Sequence, residues 1–109
     1  MKVKISTVAW ICGEFLSADR IEIQPDTLVV EGDGTDIFIP YSPGNLEIQI
    51  WASTQQGVIL DLEGRYSLQI PSGLGITSFH DGNLEVKAHK AALRVRIWRY
   101  GSVSVREAE

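Results

Sequence analysis

The sequence predicts an all-β fold, a single-domain antiparallel β-sandwich of jelly-roll-like type. Three observations predict it. Apolar and polar residues alternate in short runs such as Val3-Lys4-Ile5-Ser6, Ile21-Glu22-Ile23-Gln24, Leu46-Glu47-Ile48-Gln49-Ile50 and Leu93-Arg94-Val95-Arg96-Ile97. A strand turns successive side chains to opposite faces, so each run carries one dry face and one wet face. Turn residues then punctuate these runs: Gly32-Asp33-Gly34, Ser42-Pro43-Gly44-Asn45, Glu63-Gly64, Pro71-Ser72-Gly73, Asp81-Gly82 and Gly101. Their spacing of about ten residues suits a sandwich or jelly roll, with a small barrel as the neighbouring option. Finally, no long stretch carries a helical period.

Taken in order, strands are expected at 3–11, 20–24, 27–31, 36–40, 46–52, 57–62, 65–70, 75–80, 83–89, 92–99 and 102–106. In the first, Val8, Trp10 and Cys12 share one face and Ile5, Thr7, Ala9 and Ile11 the other. Both faces are partly apolar, which predicts a central strand buried on both sides. Gly13–Ala18 is expected to hold a short helical turn. At Asp81-Gly82 a two-residue turn pairs His80 with Asn83, Phe79 with Leu84 and Thr77 with Val86. At Glu63-Gly64 the same length would mix wet and dry faces. A three-residue loop through Arg65 pairs Leu62 with Tyr66, Leu60 with Leu68 and Val58 with Ile70, and it is preferred because one residue of register flips every side chain. The expected core is Ile5, Ile21, Ile23, Leu46, Ile48, Ile50, Leu60, Leu68, Ile70, Val86, Leu93, Val95, Ile97 and Val103.

Composition narrows the function classes. At 109 residues, 44% hydrophobic and 22% charged, the chain suits one soluble domain with its own core. Cys12 is the only cysteine, which excludes an internal disulfide and a cysteine zinc site. No apolar run approaches the ~20 residues of a membrane helix. Ser6, Thr7, Glu14 and Asp19 interrupt any signal-like stretch, so a cytoplasmic, non-membrane protein is expected.

The net charge of −4 hides an asymmetry. Between positions 14 and 63 lie Glu14, Asp19, Glu22, Asp26, Glu31, Asp33, Asp36, Glu47, Asp61 and Glu63, with Arg20 the one base. From Gly73 onward the balance turns basic, with Lys87, Lys90, Arg94, Arg96, Arg99 and Arg106. The plain reading is a solvated surface whose halves pair across strands. The sharper one is an acidic surface for a basic partner, since a field of one sign speeds and selects association. Glu22, Asp33, Asp36 and Glu47 are its candidate binding residues.

A second candidate set lies on the 92–99 strand. Arg94, Arg96 and Trp98 share its wet face, and Trp51 shares a wet face with Glu47 and Gln49. Arginine beside tryptophan can hold a sugar or phosphate, or anchor a protein partner. The plain alternative is Arg stems lying over the ring.

His80 and His89 are the two histidines. The hairpin register puts them roughly 20 Å apart, too far to share an ion. The carboxylates around Gly32 and Gly34 lack the full EF-hand calcium pattern. No serine has the G-x-S-x-G setting, and Gly73-Leu74-Gly75 lacks the strand–glycine–helix context for phosphate. No metal, no cofactor and no catalysis are therefore expected.

One stretch carries a resemblance. Ile39-Pro40-Tyr41, then Gly44-Asn45-Leu46-Glu47-Ile48-Gln49-Ile50, then Val58-Ile59-Leu60-Asp61-Leu62-Glu63-Gly64-Arg65-Tyr66-Ser67-Leu68-Gln69-Ile70 is similar to the competence protein J family of bacterial β-sandwich proteins. That family inhibits a partner DNA-entry nuclease. The resemblance covers residues 39–70 and implies a protein-binding sandwich. It carries no inhibitory residue over to this chain.

The expected function is thus a non-enzymatic protein-binding sandwich, of nuclease-inhibitor or immunity-like type, acting through an acidic surface on a basic protein. Nucleic acid is not the expected partner. A small-ligand or carbohydrate-binding module through Trp51, Arg94, Arg96 and Trp98 is the first alternative. A structural subunit assembling through strand edges is the second.

Overall fold

The computed structural model describes residues 1–7, 11–41, 46–71, 74–80, 83–88, 94–98 and 102–109. They form β1 (Lys2–Thr7), β2 (Ile11–Ser17), β3 (Arg20–Ile23), β4 (Thr27–Gly32), β5 (Thr35–Pro40), β6 (Leu46–Trp51), β7 (Val58–Leu62), β8 (Tyr66–Ile70), β9 (Leu74–His80), β10 (Asn83–Ala88), β11 (Arg94–Trp98) and β12 (Val103–Glu107). The strands make two six-stranded sheets, ordered β11-β10-β9-β6-β1-β2 and β5-β4-β3-β12-β7-β8. All their pairings are antiparallel. Each sheet ends on edge strands, so the described residues form no closed barrel.

The period-two alternation does what the sequence asks of it. Ile21 and Ile23 of β3, Leu28 and Val30 of β4, Leu60 of β7 and Val103 and Val105 of β12 are buried from the second sheet. Val3 and Ile5 of β1, Leu46, Ile48 and Ile50 of β6 and Leu84 and Val86 of β10 are buried from the first. All belong to one hydrophobic cluster. Fully burying such a side chain stabilises by about 1.5–3 kcal/mol. Leu68 and Val95 pack against the cluster only partly buried, because β8 and β11 are edge strands covered from one side. Leu93 lies outside the described residues, as does the side chain of Ile97.

Both hairpin registers agree with the expected ones. His80 pairs with Asn83, Phe79 with Leu84 and Thr77 with Val86. Residues 81 and 82 of that turn lie outside the described part. Leu62 pairs with Tyr66, Leu60 with Leu68 and Val58 with Ile70, across a loop in which Glu63 and Gly64 have positive φ. Asp33 and Gly34 also have positive φ, at 52° and 72°, and Gly32 pairs with Thr35 around them. That is the two-residue turn whose twist matches the flanking strands, and an Asp-Gly pair suits it.

The N-terminal expectations need correction. One strand over 3–11 is instead two, β1 and β2, which pair as neighbours. Residues 8–10, Trp10 included, lie outside the described part. Gly13–Ala18 holds no helical turn, because β2 continues to Ser17. Phe15 is exposed and Leu16 half-buried, the alternation of a strand with one wet face. β1 is an interior strand, between β6 and the edge strand β2, but it is buried on one face only: Val3 and Ile5 are buried while Lys2 is exposed and Lys4 and Ser6 are half-buried, because lysine and serine alternate with the apolar residues.

The step from the first sheet to the second is tied by main chain. The Ala18 N–H donates to the Met1 carbonyl at 2.7 Å and the Asp19 N–H to the Glu31 carbonyl at 2.8 Å. Gly32 lies against this crossing: a Cβ there would meet the Ser17 carbonyl oxygen at 2.7 Å. Both neighbours are backbone, so a larger residue would have to shift one strand. At the far end of β5, buried Tyr41 donates its hydroxyl to the Gln24 carbonyl and its N–H to the Asp26 carbonyl, clamping the β3–β4 turn.

Candidate functional site

The outward face of the second sheet brings together residues far apart in sequence. One row crosses all its strands: Phe38, Val29, Glu22, Ser104, Asp61 and Ser67, each paired with the next. The adjacent row reads Asp36, Glu31, Arg20, Arg106, Ile59 and Gln69. These residues point away from the core because their chain neighbours Ile21, Ile23, Val30, Leu60, Val103 and Val105 point into it.

The acidic candidates divide between the sheets. Glu22 lies on β3, Asp36 on β5 and Asp33 in the turn between β4 and β5, all in the second sheet. Glu47 is exposed on β6 of the first sheet, opposite Ser6 and Ser78, and does not join them. Asp19, Asp26, Glu31, Asp61 and Glu63 also lie on strands of the second sheet or in loops that border them. Of the carboxylates between 14 and 63, only Glu14 and Glu47 lie on the first sheet.

These carboxylates differ in how they are held. Glu22 accepts from Ser102 Oγ at 2.8 Å and from Gln24 Nε2 at 3.3 Å. Arg20 lies between Glu22 and Glu31, at 3.9 and 3.8 Å, too long for hydrogen bonds. Asp61 accepts from Ser67 Oγ at 2.9 Å and from Arg106 Nε at 3.1 Å. No hydrogen bond or ion pair reaches the carboxylates of Asp33, Asp36 or Glu47 among the described residues. Asp33 has a structural duty as well, since its positive φ builds the turn.

Two features of this face were not expected from the sequence. The edge strand β5 exposes Phe38 on this face, 66% exposed beside the unpaired Asp36, and leaves Ile37 exposed on the opposite parity. The run Asp36-Ile37-Phe38-Ile39 is apolar at both parities, and that was the available signal: on an edge strand one parity has nothing to cover it. The second feature is Ser104. It is 92% buried yet faces outward from central β12, and its hydroxyl makes no hydrogen bond among the described residues. A buried, unpaired hydroxyl costs about 1–3 kcal/mol. It lines an open depression with Arg20, Asp61, Glu63, Gly64 and Ser102.

On the first sheet, Trp51 and Trp98 are not neighbours. Trp51 pairs with Leu74 at one end of β9, while Trp98 pairs with Asn83, whose other partner is His80 at the opposite end. The ladder spacing separates their backbones by roughly 25 Å. The Trp51 ring packs edge-on against Phe15, with centroids 4.2 Å apart, and Lys4 Nζ lies 6.0 Å from the Phe15 ring. Arg96 is exposed, with Nη2 3.5 Å from Glu85. The side chains of Arg94 and Trp98 lie outside the described part.

Among the described residues, no group of three or more His, Cys, Asp or Glu is placed to hold a metal ion. His89 lies outside them. No protein-family model, curated protein or solved structure matches this chain.

Proposed function

We propose that the chain is a non-enzymatic protein-binding domain, an antiparallel β-sandwich whose second sheet offers an acidic outer face to a basic partner protein. The sandwich reading is supported by the single core that the two sheets share. Its jelly-roll-like character rests on the chain crossing between sheets at β2–β3, β5–β6, β6–β7, β8–β9 and β11–β12. The observation that carries the functional reading is the excess of carboxylates over bases on the second sheet. The carboxylates of the 14–63 segment, except Glu14 and Glu47, fall on the second sheet, against Arg20, Arg65 and Arg106 there, while Lys2, Lys4, Lys87, Arg94 and Arg96 fall on strands of the first, which also carries Glu85.

Such a face attracts a basic protein from a distance and repels polyanions, including nucleic acid. The exposed Phe38 on β5 supplies the apolar contact that charge alone lacks. The similarity of residues 39–70 to an inhibitor family makes a nuclease, whose cleft is basic, the partner class of choice. Immobilised protein is expected to capture a basic protein from its own cell extract at low salt and release it at ~0.5 M salt. A variant carrying Glu22→Gln, Glu31→Gln, Asp33→Asn and Asp36→Asn should capture little. Equal capture by both would overturn the reading.

A further inference from the structure

We propose that the depression over Ser104 is a socket for one lysine or arginine side chain of the partner. This rests on the protein-binding reading above and gives that face its anchor point. The depression, about 520 Å³, lies over the central strand pair of the second sheet. Ser104, Asp61 and Glu63 are among its lining, and the register sets Asp61 on one side of Ser104 and Glu22, on the neighbouring strand beside the depression, on the other.

Three pieces of chemistry select a cation. The Ser104 hydroxyl is buried, outward-facing and without a hydrogen bond among the described residues, so its lone pairs are available to an N–H donor. The flanking carboxylates only accept, and the bonds that they make here leave acceptor capacity over. Glu22 takes Ser102 and Gln24, and Asp61 takes Ser67 and Arg106. Arg20 is the one base among the described lining residues, and it is loosely held, at 3.8 and 3.9 Å from its two carboxylates. An incoming cation displaces a long ion pair there instead of a formed hydrogen bond. An anion would meet Asp61 directly, and a sugar would find no aromatic ring among the described lining residues.

The test is an amide NMR titration of the full chain with hexalysine, against hexaglutamate and maltose. Hexalysine should shift the amides of Ser104, Glu22 and Gly64, and the other two should not. Ser104→Val, which adds bulk to the lining, and Asp61→Asn should each weaken hexalysine about tenfold, while Glu47→Gln on the other sheet should change it less than twofold. Ser104→Ala removes the hydroxyl without adding bulk and should weaken it in the same direction. Shifts confined to residues 33–38, or unchanged affinity in folded Ser104→Val, overturn the socket. If wild type also captures no basic protein, the parent reading fails too; if it captures one equally well with Ser104→Val, only the socket fails.

Discussion

Arg106 and Asp61 form a diagonal ion pair across β12 and β7, with Nε 3.1 Å from Oδ2. Asp61 lies directly opposite Ser104 and Arg106 opposite Ile59, so the bond spans two rows of the outer face. Both side chains remain partly exposed, and such a pair contributes ~0–1 kcal/mol. Asp61→Asn is therefore expected to lower stability by no more than about 1 kcal/mol in urea unfolding. A loss above about 3 kcal/mol would make the pair a structural clamp and not part of a binding face.

Glu107 sets a pH dependence. Its Oε1 accepts from the Met1 ammonium at 2.7 Å, from the Ser53 hydroxyl and from the Ser53 N–H at 3.0 Å. The ammonium first, then Ser53, hold its carboxyl down to about 2, from an ordinary value of 4.5. A folded value below the unfolded one means stability fully present above 4.5 and lost as pH falls through about 2. Glu107→Gln should be less stable than wild type at neutral pH, and the difference should close as the pH approaches the folded value. Unfolding curves that stay equally far apart across that range would contradict this.

Tyr41 acts at the alkaline end. Burial, then the Asp26 carboxylate, push its phenol well above the usual tyrosine range. The raised folded value gives stability that is present below ~10 and lost as pH rises through it. Tyr41→Phe leaves the Gln24 carbonyl without its donor and should cost about 1–3 kcal/mol. In an alkaline ultraviolet titration, this phenol should ionise only as the protein unfolds. Ionisation at an ordinary value in the folded state would show the clamp to be open.

Much of the fold was legible because alternation and turn length act locally. The Leu60–Leu68 pairing followed from the parity of Leu62 and Tyr66 alone. The β1–β2 break was hidden, since Thr7-Val8-Ala9-Trp10-Ile11 runs on without a glycine or proline to mark it. The face of a residue was readable, but its sheet was not. Ser104 pairs with Glu22 and Asp61, which are distant in sequence, and no local pattern encodes that. So Ser104 reads as an ordinary wet-face serine until the sheet order makes it central. For the same reason Glu47, legible as exposed, could not be assigned to the opposite sheet from Glu22.

The most direct measurement of the central claim is site-specific photocrosslinking in the source cell. A photoreactive phenylalanine replaces Phe38 on the second sheet in one variant and Trp51 on the first sheet in another, both exposed aromatics. A crosslink is expected from position 38 to a basic protein, lost at ~0.5 M salt in extract, and none from position 51. A protein crosslink from position 51 with none from position 38 would contradict it.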